Sequence, residues 1–410
     1  MASLRVMLPY APLAIALAIG LPVAIPVVGA GDAFEFWLAG HVAITGHSPY
    51  DQQAWVADAA RYGDLAATEG SYCAPTPNKA RCVWAYPPHT AWLFAPFALF
   101  EPRTGVALIE AFIVLSAVAS LVALGRWMRS SSGVTLATAL AACALSQPFL
   151  FGVNGGHFVS IGVIGFVALA RGLPARSTAP VVLGALLLSL KPHLYVVVAI
   201  VVALLLVLRR DARTLLATGG VVGAVVGAGF AVYPEAVAAI LHGAPSKTTF
   251  AAGTTWQLGA WLVPGTDLGV IGVFAAAVLA MAFALRWAPA ERRLDVLLAA
   301  SAAASIAFSF YIQLYDDVLT LPAFCLALAL ADALRPLVRR TLVSAVSLAL
   351  TGWTWLMVYV GRAHPEAVAL QGALPLIVLT LLAACAWAGR RWADNSYARA
   401  VSSADRASGF

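Results

Sequence analysis

Apolar stretches of about 20 residues recur along the whole chain, and they restrict its fold more than any other feature. A helix of that length matches the hydrocarbon thickness of a bilayer. Hydrophobic residues make up 61% of the 410 and charged residues only 11%, whereas a soluble domain carries about 25% charge. The runs are continuously apolar, while the strands of a membrane barrel alternate in polarity. The sequence therefore predicts an all-α polytopic membrane protein.

We predict twelve transmembrane helices, and the charges between them set their orientation. With the N-terminus inside, 18 of the 25 Lys and Arg residues fall on the cytoplasmic side and 13 of the 19 acidic residues fall outside. Arginine clusters of this kind hold loops in the cytoplasm, which explains the net charge of +6 without a nucleic-acid partner. We expect a multi-pass plasma (inner) membrane protein with both termini cytoplasmic. The predicted spans are 9–29, 104–125, 134–152, 157–171, 178–191, 193–209, 214–232, 267–287, 294–310, 317–333, 340–360 and 367–389.

Residues 1–391 form one predicted transmembrane domain, followed by a loose, polar cytoplasmic tail at 392–410. Cleavage of the first span as a signal peptide is the alternative, but its apolar stretch is longer than a usual signal core. The fifth span is short and should break or tilt at Lys191-Pro192, because proline interrupts a helix.

The first extracytoplasmic loop, residues 30–103, is the longest. It should carry two amphipathic helices beside the membrane, at 33–45 and 51–62. The segment 86–100 is too short to cross a bilayer and contains three prolines, so we interpret it as re-entrant or interfacial.

Polar groups collect on the outer side, where all seven histidines fall. Asp32 directly follows the first span, and its carboxylate could accept a proton from a hydroxyl nucleophile. The alternative is a helix N-cap, which position alone favours. Lys191, accompanied by His193, could bind a lipid phosphate; the alternative is a lysine that snorkels at a helix end.

Two further turns face the same side. Gly155-Gly156-His157 is by default a tight turn between spans. Asp316 and Asp317, after Tyr315, could bind a metal, accept hydrogen bonds from sugar hydroxyls or cap the tenth span. A shared metal is the weakest of these options, because adjacent carboxylates on a helix point in different directions.

The cysteines divide into two groups. Cys73 and Cys82 share the exported loop, where an oxidising compartment favours a disulfide that would stabilise the protein by about 2–3 kcal/mol. A zinc site would need more ligands at tighter spacing. Cys143, Cys325 and Cys385 lie in spans and are interpreted as small apolar residues.

Several short motifs, in a fixed order, resemble a known family. They are Asp32 after the first span, the turn Gly46-His47-Ser48-Pro49-Tyr50, Tyr86-Pro87-Pro88, Gly156-His157, Lys191-Pro192 and Tyr315-Asp316. This set resembles glycosyltransferase family 87 over about residues 1–335. Its members are GT-C fold enzymes that use polyprenyl-phosphate sugars, typified by α-1,2-mannosyltransferases.

The resemblance implies an inverting hexosyltransferase with Asp32 as its catalytic base. This role replaces the helix N-cap that the position of Asp32 alone favours. Lys191 and His193 would bind the donor phosphate, and the scheme requires no metal or other cofactor. The partners would be a polyprenyl-phosphate sugar, a lipid or glycan acceptor and membrane lipids. The residues assigned to the sugar or the acceptor are Tyr50, Tyr86, His157, Tyr315, Asp316 and Asp317.

Two departures from the family pattern bear on the choice of sugar. The family commonly has Gly-Gln where this chain has Gly156-His157, and one branch often has a His pair near Tyr315-Asp316. Both differences put mannose specificity in doubt.

Two other classes of membrane protein are alternatives to an enzyme of this family. A transporter or flippase of lipid-linked sugars should show internal repeats and charges at mid-membrane, and the sequence shows neither. An O-antigen ligase or polymerase typically has its long catalytic loop late in the chain.

Overall fold

The computed structural model describes residues 32–62, 84, 86–128, 131–240, 254–309, 315–332, 334 and 336–407, and the described residues contain no strand. The α-helices used below are α1 (Ala33–Ile44), α2 (Gln52–Arg61), α3 (Pro88–Phe94), α4 (Pro102–Trp127), α5 (Gly133–Leu145), α6 (Gln147–Asn154), α7 (Ser160–Ala175), α8 (Thr178–Leu188), α9 (Val196–Leu208), α10 (Ala212–Val232), α11 (Thr255–Leu262), α12 (Leu268–Trp287), α13 (Arg293–Phe308), α14 (Leu321–Ala331), α15 (Pro336–Ser347), α16 (Trp353–Ala363) and α17 (Leu374–Ala407). Short 3₁₀ stretches lie at Phe97–Leu99, Pro192–Leu194, Ala290–Arg292, Asp316–Thr320 and Pro365–Ala373, and a π-helical stretch lies at Leu348–Gly352.

Four helical segments in the described part of the chain are long and apolar enough to cross a membrane: Pro102–Trp127, Ala212–Val232, Leu268–Trp287 and Ala369–Trp392. A fifth span is possible if α5 and α6, which meet at a 50° bend, act as one. Other predicted spans correspond to shorter apolar helices, such as α7, α8 and α9. The prediction of an all-helical membrane protein is confirmed, and the number twelve stays a prediction.

Large apolar side chains on the outside of the helices show which solvent the protein requires. Examples are Leu115 on α4, Leu208 on α9, Leu216 on α10, and Ile271 and Leu279 on α12, all of which are exposed. An exposed apolar surface of this extent is unfavourable in water and is satisfied by lipid.

Polar contacts between distant segments group the loops into two ends of the bundle. At one end, Trp127 Nε1 donates to Asp295 at 3.4 Å, and Arg209 donates to the Leu173 carbonyl at 2.8 Å. At the other end, Thr255 donates to the Gly372 carbonyl at 3.0 Å. These contacts join loops that the charge distribution places on the same side. We call the first end of the bundle the arginine end, which we predict is cytoplasmic. The second is the site end, which contains Asp32 and Lys191.

The predicted break of the fifth span is present. The helix α8 ends at Leu188, and α9 begins at Val196 after the 3₁₀ turn Pro192–Leu194. The second and third N–H groups of α9, those of Val197 and Val198, donate to Ser305 Oγ at 3.1 and 3.2 Å. A side chain of α13 therefore satisfies backbone groups that the break exposes.

The first outer loop differs from the prediction at α1. This helix is buried on nearly every side, including Phe34, Phe36, Trp37, Leu38 and Val42, because α3 and α4 enclose it. The prediction of an amphipathic helix with an exposed polar face is wrong for α1, while its position along the membrane stays a prediction. The helix α2, in contrast, buries Trp55 and Ala59 on one side only, as an amphipathic helix does.

Residues 86–100 form α3 and a 3₁₀ turn, Phe97–Leu99. A helix of seven residues spans about 10 Å, which is too short to cross a bilayer. Thr90 Oγ1 donates to the Leu190 carbonyl at 3.3 Å, so the segment stays at the site end, as a re-entrant or interfacial element would.

The C-terminal tail is another correction. The helix α17 continues to Ala407, whereas we expected a loose tail from residue 392. The segment contains alanine and arginine, which favour a helix, and lacks proline.

Some predictions fall outside the described residues, namely the first span at 9–29 and the disulfide between Cys73 and Cys82. The remaining cysteines, Cys143, Cys325 and Cys385, are buried free thiols, as expected for small apolar side chains in a helical core.

Labelling tests which end faces outward. Glu101 and Ala212 are exposed at the site end and the arginine end, respectively. A membrane-impermeant maleimide should label Glu101→Cys in intact cells and Ala212→Cys only after permeabilisation, because the arginine end is held inside. The unsubstituted chain, with its own cysteines, is the control. If only Ala212→Cys were labelled in intact cells, the topology would be the inverse of the predicted one.

Candidate active site

Asp32 occupies the N-cap position of α1, but its side chain makes no capping hydrogen bond. Its backbone N–H donates to the Gly155 carbonyl at 2.9 Å, so the turn between α6 and α7 fixes this helix end. The simple cap interpretation is therefore wrong for the carboxylate, which is free for other contacts.

The turn that holds Asp32 depends on a glycine. Gly156 has φ +73°, a left-handed conformation that L-residues with a Cβ rarely adopt. A Cβ on Gly156 would lie 2.9 Å from the Ala33 nitrogen and 3.2 Å from the Asp32 nitrogen. The turn is thus a packed support for the start of α1 and not an isolated connection.

The same turn places a histidine against the Asp32 carboxylate. His157 Nδ1 lies 2.9 Å from Asp32 Oδ2, and both side chains are largely buried. Nδ1 has no hydrogen-bond partner among the described residues, so the two side chains are held together by close approach. His157 can therefore hold the carboxylate in place.

Tyr315 joins this pair to the second half of the site. The rings of His157 and Tyr315 stack with centroids 3.4 Å apart and an interplanar angle of 24°. Lys191 Nζ lies 4.7 Å from the centroid of the Tyr315 ring, within the range of a cation–π contact. The Tyr315 ring therefore lies between His157, which contacts Asp32, and the ammonium group of Lys191.

Lys191 is paired and buried. Its Nζ donates to Asp316 Oδ1 at 2.9 Å, and the relative exposures of the two residues are 5% and 0%. A snorkelling lysine would extend to the interface, so that alternative is wrong here. Breaking such a pair costs about 3–5 kcal/mol, because one charge is left buried without compensation.

Aromatic rings complete the surroundings of the ammonium group. Lys191 Nζ lies 5.2 Å from the Tyr86 ring centroid and 6.0 Å from that of Phe158. Phe158 was not identified from the sequence, where it is one of many apolar residues following a turn. Tyr50 donates a hydrogen bond from its hydroxyl to the Tyr86 carbonyl, and burial raises the pKa of its phenol. Tyr50 therefore supports Tyr86 instead of contacting the ion pair.

Asp317 lies beside the pair and is also buried. Its Oδ1 has no hydrogen-bond partner among the described residues. A buried carboxylate oxygen without a donor is rare in a folded protein, and a sugar hydroxyl would supply one. His193 lies half-buried in the 3₁₀ turn after Lys191.

His89 and Ser189, which the sequence analysis did not select, attach α3 to the turn that carries Lys191. His89 Nε2 lies 3.3 Å from Ser189 Oγ. Burial lowers the pKa of His89 and opposes the smaller raising effect of the Ser189 contact, which favours a neutral imidazole. The only sequence signal was the position of His89 directly after Tyr86-Pro87-Pro88.

The space beside Lys191 is small in this conformation. The cavity that borders Lys191 has a volume of about 10 Å³, about the space of one water molecule. A phosphate or a sugar can therefore enter only if lining side chains move. Within the described ranges, no three His, Cys, Asp or Glu side chains are grouped to hold a metal ion.

Comparison with known proteins identifies one family. The model of glycosyltransferase family 87 matches residues 84–314, which is more than half of the chain. The matched region contains Tyr86, His157 and Lys191 but ends before Tyr315 and begins after Asp32. No curated protein and no solved structure matches the chain.

The geometry of the Gly156 turn can be tested with a matched pair of substitutions. Gly156→Ala should lower stability and reduce activity at least tenfold, because the Cβ collides with the backbone that positions Asp32. Gly46 has φ +82° but nothing within 4 Å of a Cβ, so Gly46→Ala incurs only the conformational cost of about 1–2 kcal/mol. Thermal unfolding measures the change in stability, and the rate of sugar transfer measures the change in activity. Equal activities in the two variants would show that the turn does not position Asp32.

Proposed function

The chain belongs to glycosyltransferase family 87, and from this premise we propose that it is an inverting enzyme that moves a sugar from a polyprenyl-phosphate donor to a hydroxyl group. The family establishes a membrane glycosyltransferase, which favours this class over a transporter or flippase. The donor, the catalytic base and the outward-facing location of the site are the parts that we propose.

In the proposed reaction, the acceptor hydroxyl attacks the anomeric carbon of the donor sugar. A new C–O bond forms on one face as the bond to the phosphate oxygen breaks on the other, with inversion. Asp32 takes the proton of the attacking hydroxyl, as a general base. The bonding electrons leave with the polyprenyl phosphate, whose added negative charge Lys191 stabilises.

The observation that carries this proposal is the placement of the Asp32 carboxylate and the Lys191 ammonium group on either side of the stacked rings of His157 and Tyr315. Asp32 contacts His157, His157 stacks on Tyr315, and Tyr315 underlies the ammonium of Lys191. These residues come from segments far apart in the sequence. A base near the acceptor oxygen and a cation near the leaving oxygen are the two groups that inverting displacement requires.

The ammonium group of Lys191 can donate hydrogen bonds to a substrate as well as to Asp316. An ammonium group has three N–H bonds, and Asp316 accepts one of them. Among the described residues no other hydrogen-bond acceptor of the ammonium is found, so the remaining N–H bonds can be donated to a phosphate, which forms strong charge-assisted hydrogen bonds in an apolar site. Asp316 would hold the lysine in position before the donor arrives and compensate its charge after the product leaves.

Apolar residues beside Lys191 fit a lipid-linked donor. Ile161, Leu187 and Leu190 border the small cavity that Lys191 also lines, so a phosphate bound by Lys191 would meet apolar surface suited to a prenyl chain. We propose that the unpartnered oxygen of Asp317 binds a hydroxyl of the sugar. Mannose is the proposed sugar through the family, and His157 stands where the family commonly has Gln.

The site end faces the extracytoplasmic side in this proposal, because the arginine clusters lie at the other end. The acceptor would be a lipid or glycan of the cell envelope, with a membrane lipid environment around the bundle.

The role of Asp32 can be tested with a matched amide substitution. Asp32→Asn should remain folded and lose at least about 10²-fold in turnover, since general base catalysis contributes 10²–10⁴-fold. Asp51→Asn, at the N-cap of α2, makes the same chemical change where Asp and Asn cap equally well, and should retain activity. Transfer from radiolabelled polyprenyl-phosphate mannose to membrane lipid extract is the measurement. Near-normal turnover of Asp32→Asn would remove Asp32 as the base.

The role of Lys191 needs two variants, because its loss leaves the Asp316 carboxylate buried without the lysine that faces it. Lys191→Met should destabilise the protein by about 3–5 kcal/mol and raise the KM for the donor far more than that for the acceptor. The double substitution Lys191→Met with Asp316→Leu removes both charges and should recover most of the stability but not the donor KM. A double variant with normal donor KM would make the lysine purely structural.

A further inference from the structure

An open cavity of about 720 Å³ lies at the arginine end, beside the start of α8. Lys191 follows the opposite end of this helix, whose 11 residues span about 17 Å. The cavity is therefore separate from the candidate active site. Arg176 and Arg213 line it, and the apolar residues Ala179, Val182, Leu183 and Leu186 form its wall.

The two arginines reach the cavity from different elements. Arg176 ends α7 with φ +50°, a left-handed conformation that is unfavourable for arginine and is usually taken by glycine. Arg213 lies in the first turn of α10. Within the described part of the chain, neither guanidinium has an ion-pair partner. The adjacent Asp211 caps α10 by accepting a hydrogen bond from the Thr214 N–H at 3.1 Å.

The apolar wall has the form of a stripe along one face of α8. Residues 179, 182, 183 and 186 have the spacing i, i+3, i+4 and i+7, which places them in line on a helix. The stripe begins beside the arginines and extends about 10 Å toward the middle of the bundle. Leu183 within it is 50% exposed.

We propose that this cavity binds a membrane phospholipid with an anionic headgroup. Guanidinium groups bind phosphate with paired, charge-assisted hydrogen bonds, so Arg176 and Arg213 would hold the headgroup phosphate. The stripe on α8 would carry an acyl chain. A soluble phosphate would use only the cationic part, and the continuous apolar wall is the reason for choosing a lipid. With the predicted orientation, the lipid belongs to the cytoplasmic leaflet.

Binding can be measured on the purified full-length protein in a neutral detergent, with dioctanoyl phosphatidylglycerol as the probe and native mass spectrometry as the readout. The wild-type protein should retain phosphatidylglycerol at least about tenfold better than dioctanoyl phosphatidylcholine, because both lipids carry the phosphate but the choline cation places a like charge beside the two arginines. The double substitution Arg176→Gln with Arg213→Gln should lose this preference. Leu183→Gln should weaken binding of both lipids.

A control with the same loss of charge at the same end is Arg286→Gln with Arg391→Gln. Both of these arginines lie against tryptophans, Trp287 and Trp387, outside the cavity, and the variant should bind as the wild type does. Equal binding of the two lipids, or unchanged phosphatidylglycerol binding after loss of Arg176 and Arg213, would overturn the proposal. Displacement of the lipid by inorganic phosphate at equal concentration would also overturn it, since the site would then recognise a soluble anion.

Discussion

A lysine ammonium buried in an apolar helical bundle requires a compensating charge, and the pair of Lys191 with Asp316 meets this requirement. Both residues lie where helices are interrupted, at the 3₁₀ stretches Pro192–Leu194 and Asp316–Thr320. Irregular backbone at membrane depth is tolerated only where other protein groups satisfy it. Ser305 does so for the start of α9. The breaks that shorten the spans therefore also create the site.

The other half of the site rests on close packing. The turn at Gly155 and Gly156 fits against the first residue of α1, while Gly40 on the same helix lies against the backbone of Phe94. Aromatic contacts then connect α1 to the lysine, because Phe36 packs on Phe158 with ring centroids 5.1 Å apart. A buried α1 is thus necessary to bring Asp32 to a defined position relative to Lys191.

The sequence predicted features that depend on local composition. Apolar runs and arginine clusters gave the helical class and the grouping of loops at two ends, and Lys191-Pro192 gave the break. The pairing of Asp32 with His157 could not be predicted, because it depends on how two turns from distant segments pack. The burial of α1 could not be predicted, because it depends on close contact at small residues such as Gly40, which packs against the backbone of Phe94. The family match ends before Tyr315. The sequence therefore indicated Tyr315 only through the short motif Tyr315-Asp316, and its position between His157 and Lys191 came from the structure.

The central claim is that Asp32 and Lys191 act on opposite sides of one anomeric carbon, Asp32 on the attacking acceptor hydroxyl and Lys191 on the leaving phosphate. The most direct test is a cryo-EM structure with a polyprenyl-phosphate sugar analogue whose anomeric bond cannot be broken. The account predicts a phosphate oxygen within about 3 Å of Lys191 Nζ, with the anomeric carbon between that phosphate and the Asp32 carboxylate. A sugar bound beyond reach of Asp32, or a donor phosphate held by Arg176 and Arg213 at the opposite end, would contradict it.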